Sequence, residues 1–258
     1  MADILIVGAN QGIGFYMVKQ LLEQRDRVAV LDINTDHIEK IREQYGERLL
    51  VFKADATDET SLSAGIDYAA DTFGSIDIAI HNACLCTFES EPDTNYEIYR
   101  KVFDVNYFGA LRLAKLVLPI MRKERKGRVI FTSSGVGVMG FGNISPYASS
   151  KGAIEALAKC LLIENKEYGI TFHIMHPPLT NTESASGLPI PKEFLADPEK
   201  VGRGLAKHAL SKKFVICHSL NQSLQMKLCY KHPLYMGNMM WKMTLRAIAA
   251  KEDGENNG

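Results

Sequence analysis

The chain has 258 residues, 46% hydrophobic and 23% charged, which is enough to bury a full core as one large domain. Its 30 basic and 30 acidic residues cancel, so no overall field draws it to nucleic acid or to an anionic membrane, and a small neutral molecule is the simpler partner. Five cysteines, Cys84, Cys86, Cys160, Cys217 and Cys229, form an odd set without paired metal spacing. That argues against a disulfide framework or a metal site and for reduced thiols in a cytoplasm.

In chain order, Met1 leads without a basic region into the apolar run Ile4–Val7, which reads as a buried strand rather than a signal peptide. No later window reaches the roughly 18 apolar residues of a membrane span. Immediately after the first strand comes Gly8-Ala9-Asn10-Gln11-Gly12-Ile13-Gly14, then an amphipathic helix at 12–24. Glycines here permit a tight turn and the approach of a pyrophosphate to a helix N-terminus. A bare glycine trio is a weak signal, and its position between a first strand and a first helix strengthens it. The second run, Val28–Leu31, ends at Asp32, where a carboxylate can accept hydrogen bonds from an adenosine ribose diol and repel a 2′-phosphate. Turns favour aspartate for their own reasons. No Lys or Arg lies in the glycine loop or next to Asp32, so the reading is NAD(H) rather than NADP(H).

Further short apolar runs follow at Leu49–Phe52, Ile76–Ile80, Val129–Thr132, Thr171–Met175 and Phe214–Cys217. Amphipathic segments at about 36–45, 59–73, 95–122, 146–168 and 198–211 separate them. This alternation predicts an α/β fold with a doubly wound parallel sheet, helices on both faces and ligands at the strands' carboxyl ends. One domain over 1–258 is expected, with the strand–helix core at 3–218. The alternation breaks at 179–198, where Pro189, Pro191 and Pro198 with Ser and Thr predict a loop or short helices beside the site. It breaks again in a C-terminal helical extension at 220–250, rich in methionine and holding the only tryptophan, Trp241.

Tyr147 and Lys151 stand one helical turn apart, with Ser134 thirteen residues before the tyrosine. Side chains at i and i+4 share a helix face about 6 Å apart, so the Lys151 ammonium can sit beside the Tyr147 phenol and favour its phenolate. A phenol near pKa 10 needs such help to act as a base at neutral pH. The pair alone is common on solvated helices, and its meaning comes from its company.

In that company the chain resembles the short-chain dehydrogenase/reductase family over about residues 3–218. The glycine loop is similar to the family's TGxxxGxG, with Val7 in place of Thr. Asp55, followed by Ala56, resembles the aspartate that contacts adenine, and His81-Asn82-Ala83-Cys84 resembles the NNAG segment. Asn106 matches the active-site asparagine, and Ser134, Tyr147 and Lys151 fall where the family places its catalytic residues. Each has a plainer reading, Asp55 as a helix N-cap, Asn106 as a polar group inside a helix, Ser134 as a strand-end hydroxyl. Their joint order outweighs those readings.

The resemblance implies a Rossmann-like fold and a catalytic set of Asn106, Ser134, Tyr147 and Lys151. It implies cofactor contacts from Gly8, Asn10, Gln11, Gly12, Ile13, Gly14, Asp32, Asp55, Ala56, Asn82, Ala83, Tyr147, Lys151, Pro177 and Thr180. The activity implied is interconversion of a secondary alcohol and a ketone, in which Asn106 would support a water leading protons to Lys151. By the same resemblance, the helices at 95–122 and 146–168 form a homodimer or homotetramer interface.

Cys84 and Pro178 stand where the family has glycine. The Pro-Pro-x-Thr-x-Thr stretch from Pro177 is similar to one in the ketodihydrosphingosine reductase branch, a lipid ketoreductase using NADPH, and so hints at an apolar substrate. The Met-rich extension reads as an adaptable wall over a steroid, bile acid or lipid-like alcohol, as ordinary core or subunit packing, or as a membrane-surface helix at Leu234–Ala249. A non-catalytic NAD(H)-binding sensor on the same fold is the alternative function.

Overall fold

Alternation along the first strand decides the layers. Ile4 and Ile6 face one way and Leu5 and Val7 the other, and each pair enters a different apolar cluster, so the strand is buried on both faces. The computed structural model describes residues 1–190 and 194–256, with side chains as far as Ala249. Its strands are β1 Asp3–Val7, β2 Arg27–Asp32, β3 Leu49–Lys53, β4 Ile78–His81, β5 Gly127–Thr132, β6 Ile170–Met175 and β7 Val215–Ile216. All pair in parallel, in the order β3-β2-β1-β4-β5-β6-β7. The order reverses between β1 and β4, and the loops that diverge there open the crevice in which such sheets hold ligands.

The helices of the core are α1 Gly12–Glu23, α2 Asp36–Tyr45, α3 Glu59–Phe73, α4 Tyr96–Phe103, α5 Gly109–Glu124, the short α6 Val136–Met139, α7 Ser145–Glu164 and α8 Pro198–Lys207. Leu62 and Ile66 of α3, Leu113 and Val117 of α5, and Ile154 of α7 cover the face that carries Leu5 and Val7. Met17, Val18 and Leu21 of α1, Ile38 of α2, and Val201 and Leu205 of α8 cover the other. The extension forms α9 Leu220–Lys231 and α10 Pro233–Asn256; Pro233, which fixes φ and lacks an N–H, starts the second of these.

Three predicted elements differ from the structure. The helix expected over 95–122 is interrupted by a π-helical turn at Asp104–Phe108, where the Gly109 N–H reaches back five residues to the Asp104 carbonyl. The fourth strand lies at Ile78–His81 because Asp77 before it turns its carboxylate to the Asp3 N–H (3.1 Å) and to Lys126 (2.7 Å). The last strand is only two residues long and pairs on one edge. Between Leu179 and Pro198 there is a short turn at Glu183–Ala185 and a bridge from Thr180 to Ala196; Pro191 lies outside the described residues.

Candidate active site

The crevice is built first from backbone. Gly8 and Gly12 have φ of +85° and +58°, conformations that favour glycine. Gly14 is needed for space: a Cβ there would stand 2.5 Å from the Gly8 carbonyl and 2.7 Å from the Ala9 Cα. Gln11 precedes α1 without capping it, and no acidic residue occupies the first turn, so the positive end of the helix meets the cavity through Gln11, Gly12 and Ile13. A cradle that a methyl group would fill, at a helix N-terminus, fits a dinucleotide pyrophosphate.

Several predicted cofactor contacts prove to be the frame around that cradle. Asn10 is buried, and its Oδ1 accepts from the His37 and Ile38 N–H groups (2.9 and 3.1 Å), so its side chain caps α2 rather than facing a ligand. Asn82 Nδ2 donates to the Gly8 carbonyl (2.6 Å) and its Oδ1 accepts from the Thr132 hydroxyl (3.1 Å), tying the glycine turn to β5. Asp32 accepts from the N–H groups of Asn10 (2.8 Å) and Asn34 (3.1 Å) and stands at the carboxyl end of β2. Lys53, exposed at the end of β3, is its register partner. The sequence has no cation beside Asp32 along the chain; the sheet supplies one from the next strand.

Asp55 Oδ1 accepts from both the N–H and the hydroxyl of Thr57, each at 2.8 Å, which shapes the turn after β3. Ala56 follows, buried, its carbonyl accepting from Arg112 (3.2 Å). Ala83 lies hard against Gly8. Pro177 and Thr180 line the cavity, and the Thr180 hydroxyl is taken by the Pro178 carbonyl (2.7 Å).

Beyond the cradle the same cavity, about 240 Å³, is lined by Ser134, Tyr147 and Lys151. The i, i+4 spacing on α7 does what helix geometry requires, and the Lys151 Nζ stands 5.5 Å from the centre of the Tyr147 ring. The ammonium is buried and donates to the Thr132 carbonyl (2.7 Å). Burial, followed by the neighbouring thiols of Cys84 and Cys86, pushes Tyr147 well above the ordinary phenol range, and the Ser134 hydroxyl opposes that rise.

Asn106 lies in the π turn, fully buried, with both ends of its amide hydrogen-bonded. Its Oδ1 accepts from the Leu85 N–H (2.8 Å) while its Nδ2 donates to the Leu85 carbonyl (3.0 Å) and to Ser150 (2.9 Å). It therefore positions the Cys84–Cys86 loop against α7. π-helical turns recur at functional sites because they re-aim such a side chain.

The far walls are apolar: Val136, Met139, Phe141 and Ile144 on one side, Leu179 and Leu188 on another, and Met226, Met236, Met239 and Met240 from α9 and α10. Trp241 packs over Gly142, where a Cβ would lie 2.6 Å from the indole. The Met-rich extension is thus both wall and packing. Cys86 is a half-buried thiol pushed up to about 12 by burial, so it lines the site as a small apolar group.

Sequence reading missed a buried polar network behind α7. Ser133 donates to Glu155 Oε1 (3.1 Å), the Tyr230 hydroxyl donates to Glu155 Oε2 (2.9 Å), and His176 Nε2 lies 3.3 Å from Glu155 and 3.0 Å from the Tyr230 oxygen. Gln222 Nε2 donates to the His176 carbonyl. These bonds tie α9 to the strand ends that carry Ser134 and Pro177. The hydrogen bonds from His176, Tyr230 and Ser133 hold Glu155 below the usual carboxylate range against the opposing effect of burial. The signal available was Glu155 itself, one turn after Lys151 on the buried stripe of α7. His81 is also fully buried, without a ring partner among the described residues, and burial lowers it to about 3, so it is neutral packing beneath Gly109.

Fold and site together define a dehydrogenase-type oxidoreductase, and comparison with known proteins agrees. The profile of the short chain dehydrogenase family matches residues 2–190, and the chain belongs to that family. It is 34% identical over 207 residues to oxidoreductase UcpA of Salmonella typhimurium, covering 79% of this chain and 78% of that one. It is 30% identical to (-)-trans-carveol dehydrogenase of Rhodococcus erythropolis, over 69% and 70% of the two chains. Cyclohexanol dehydrogenase of an Acinetobacter strain is 29% identical over 78% and 85%. In fold, the chain is similar to a 3-ketoacyl-(acyl-carrier-protein) reductase from Brucella melitensis solved with NADH, with a TM-score of 0.76, 21% identity and coverage of 83% and 94%. A short-chain dehydrogenase from Streptomyces avermitilis gives 0.78 at 20% identity, over 96% and 99%.

Proposed function

We propose that this oxidoreductase is NAD(H)-dependent and interconverts an apolar secondary alcohol and its ketone. The observation that carries the reading is the convergence of Ser134, Tyr147 and Lys151 in one cavity that is continuous with the glycine cradle and walled beyond it mainly by apolar side chains, with Glu183, Gln222 and Gln225 among them. When bound, the nicotinamide supplies the hydride acceptor or donor that no side chain provides. Gly12, Ile13 and the N-terminus of α1 would hold its pyrophosphate, and Asp32 the adenosine ribose.

In the oxidative direction the Tyr147 oxygen takes the hydroxyl proton of the substrate, and in the reductive direction it returns one. Ser134 donates a hydrogen bond to the substrate oxygen and fixes it opposite the phenol. The Lys151 ammonium supplies a buried positive charge beside the ring, and with the cofactor bound it would offer a donor to the nicotinamide ribose. Asn106 acts through the backbone of Leu85 as a positioning residue. Because burial holds the phenol protonated in the free protein, alcohol oxidation rises with pH, whereas ketone reduction, which needs the proton on Tyr147, falls.

The apolar walls, the cyclic alcohols in the names of two relatives and the hint from Pro177–Thr182 point to a steroid, bile acid or lipid-like substrate. Lys53 beside Asp32 is the observation that favours the second reading, an NADP(H)-using lipid ketoreductase. A panel of secondary alcohols and ketones, followed by reduced-nicotinamide absorbance with NAD(H) and NADP(H), tests both. Turnover with NAD(H) and apolar alcohols is expected. Preference for NADP(H) selects the second reading, and binding of NADH without turnover of any member selects the sensor.

A further inference from the structure

The neutral total charge hides an uneven distribution. Residues 201–250 contain eight Lys and Arg and no Asp or Glu, whereas residues 1–200 contain 27 acidic to 21 basic residues. Four of the eight, Lys227, Lys231, Lys242 and Arg246, lie on the two helices that also carry a group of exposed apolar side chains. On α9, Leu220, Leu224 and Leu228 follow each other at one-turn spacing and are 84%, 63% and 47% exposed. On α10, Leu234 and Tyr235 are 78% and 70% exposed, and Tyr235 shares its face with Met239 and Met243.

Cations flank both rows. Lys227 and Lys231 each follow an exposed leucine of α9 by three residues, and Lys242 follows Met239 by three. All three are exposed and make no ion pair among the described residues. The inward faces of the same helices are apolar too, since Met226, Met236 and Met240 line the cavity. A helix apolar on both sides has a second apolar surface to cover.

We infer that the outer face of α9 and α10 docks on a lipid membrane bearing anionic headgroups, lying in the interface without crossing it. Charge complementarity selects this occupant. A second copy of the chain meeting this face about a two-fold axis would set Lys227, Lys231 and Lys242 against their own copies, with no carboxylate between Leu220 and Ala249 to offset them. A polyanion without hydrocarbon would leave Leu220, Leu224, Leu234 and Tyr235 in water. An anionic bilayer surface takes both the apolar row and the lysines. No helix among the described residues is long and apolar enough to cross a membrane. On the reading proposed above, and resting on it, Met239, which lies on both the exposed face and the cavity wall, would place the mouth for an apolar substrate against the lipid.

The test is flotation of the full chain with phosphatidylcholine vesicles, with and without phosphatidylglycerol, at low and high salt. Binding to the phosphatidylglycerol vesicles at low salt, with loss at high salt and on pure phosphatidylcholine, is expected. Lys227→Glu with Lys231→Glu should weaken it by more than tenfold, at roughly fivefold for each lysine removed from the surface. Leu224→Glu with Tyr235→Glu should abolish it while leaving NADH binding and the thermal transition unchanged. Absence of binding at low salt, or equal binding to both vesicle types, overturns the proposal. So does an oligomer that Leu224→Glu with Tyr235→Glu splits into monomers without any vesicle binding by the parent chain, which would assign the face to a second copy. NADH titration is independent of vesicles, so failure of the cofactor reading and failure of docking are distinguishable.

Discussion

The two ends of the cavity are made of different material. At the glycine turn the walls are backbone, and contacts are so close that a single methyl group at Gly14 would meet a carbonyl at 2.5 Å. At the α9–α10 end the walls are methionine side chains with three rotatable bonds each, held to the core at a few points: Gly237 against the backbone of Gly140, Trp241 on Gly142, and Tyr230 on Glu155. The first end can hold one ligand shape and little else, while the second can adapt. A rigid cradle for a constant cofactor and a compliant wall for a variable substrate follow from that contrast.

Substitutions can break it at either end. Gly14→Ala should have the largest effect, costing about 1–3 kcal/mol of stability through overpacking and weakening NADH binding at least tenfold, read by denaturant titration and cofactor fluorescence. Next comes Gly237→Ala, whose Cβ would press on the Gly140 and Met139 carbonyls and lift α10. It should raise the KM for the alcohol severalfold and leave the NADH affinity within about twofold; an equal loss of both would erase the distinction between the two ends.

Glu155→Gln should cost about 1–3 kcal/mol, since it removes the charge at the centre of a buried network while sparing the shape. The pH dependence sharpens this. Glu155 is depressed in the folded chain from its ordinary 4.5. Its contribution is therefore fully present above about pH 4.5 and is lost as pH falls through the folded value. The gap in melting temperature between parent and variant should narrow on acidification, and a gap that widens would contradict the assignment. Smallest is Met240→Ala, expected to shift KM by a few-fold with kcat retained, because the neighbouring methionines repack.

The same contrast explains what sequence could reveal. The glycine turn, Asp32 at a strand end, and the Tyr147–Lys151 pair depend on chain-local geometry, a strand period of two and a helical period of 3.6, and were legible as such. The polar commitments of Asn10, Asn82 and Asn106 were not, because each is settled by a backbone group 21 to 74 residues away. The Glu155–His176–Tyr230 network joins three elements and leaves no periodic trace. The Met-rich extension was visible as composition, but which methionines face the cavity is decided by how α9 and α10 seat on α6 and α7. Lys53 escaped notice for the same reason, being beside Asp32 only across the sheet.

The most direct measurement is turnover and NADH binding by Tyr147→Phe. The variant keeps the ring and loses only the acid–base oxygen, so NADH affinity should be unchanged while kcat falls by about 10²–10⁴-fold. Near-normal turnover would contradict the placing of proton transfer on Tyr147.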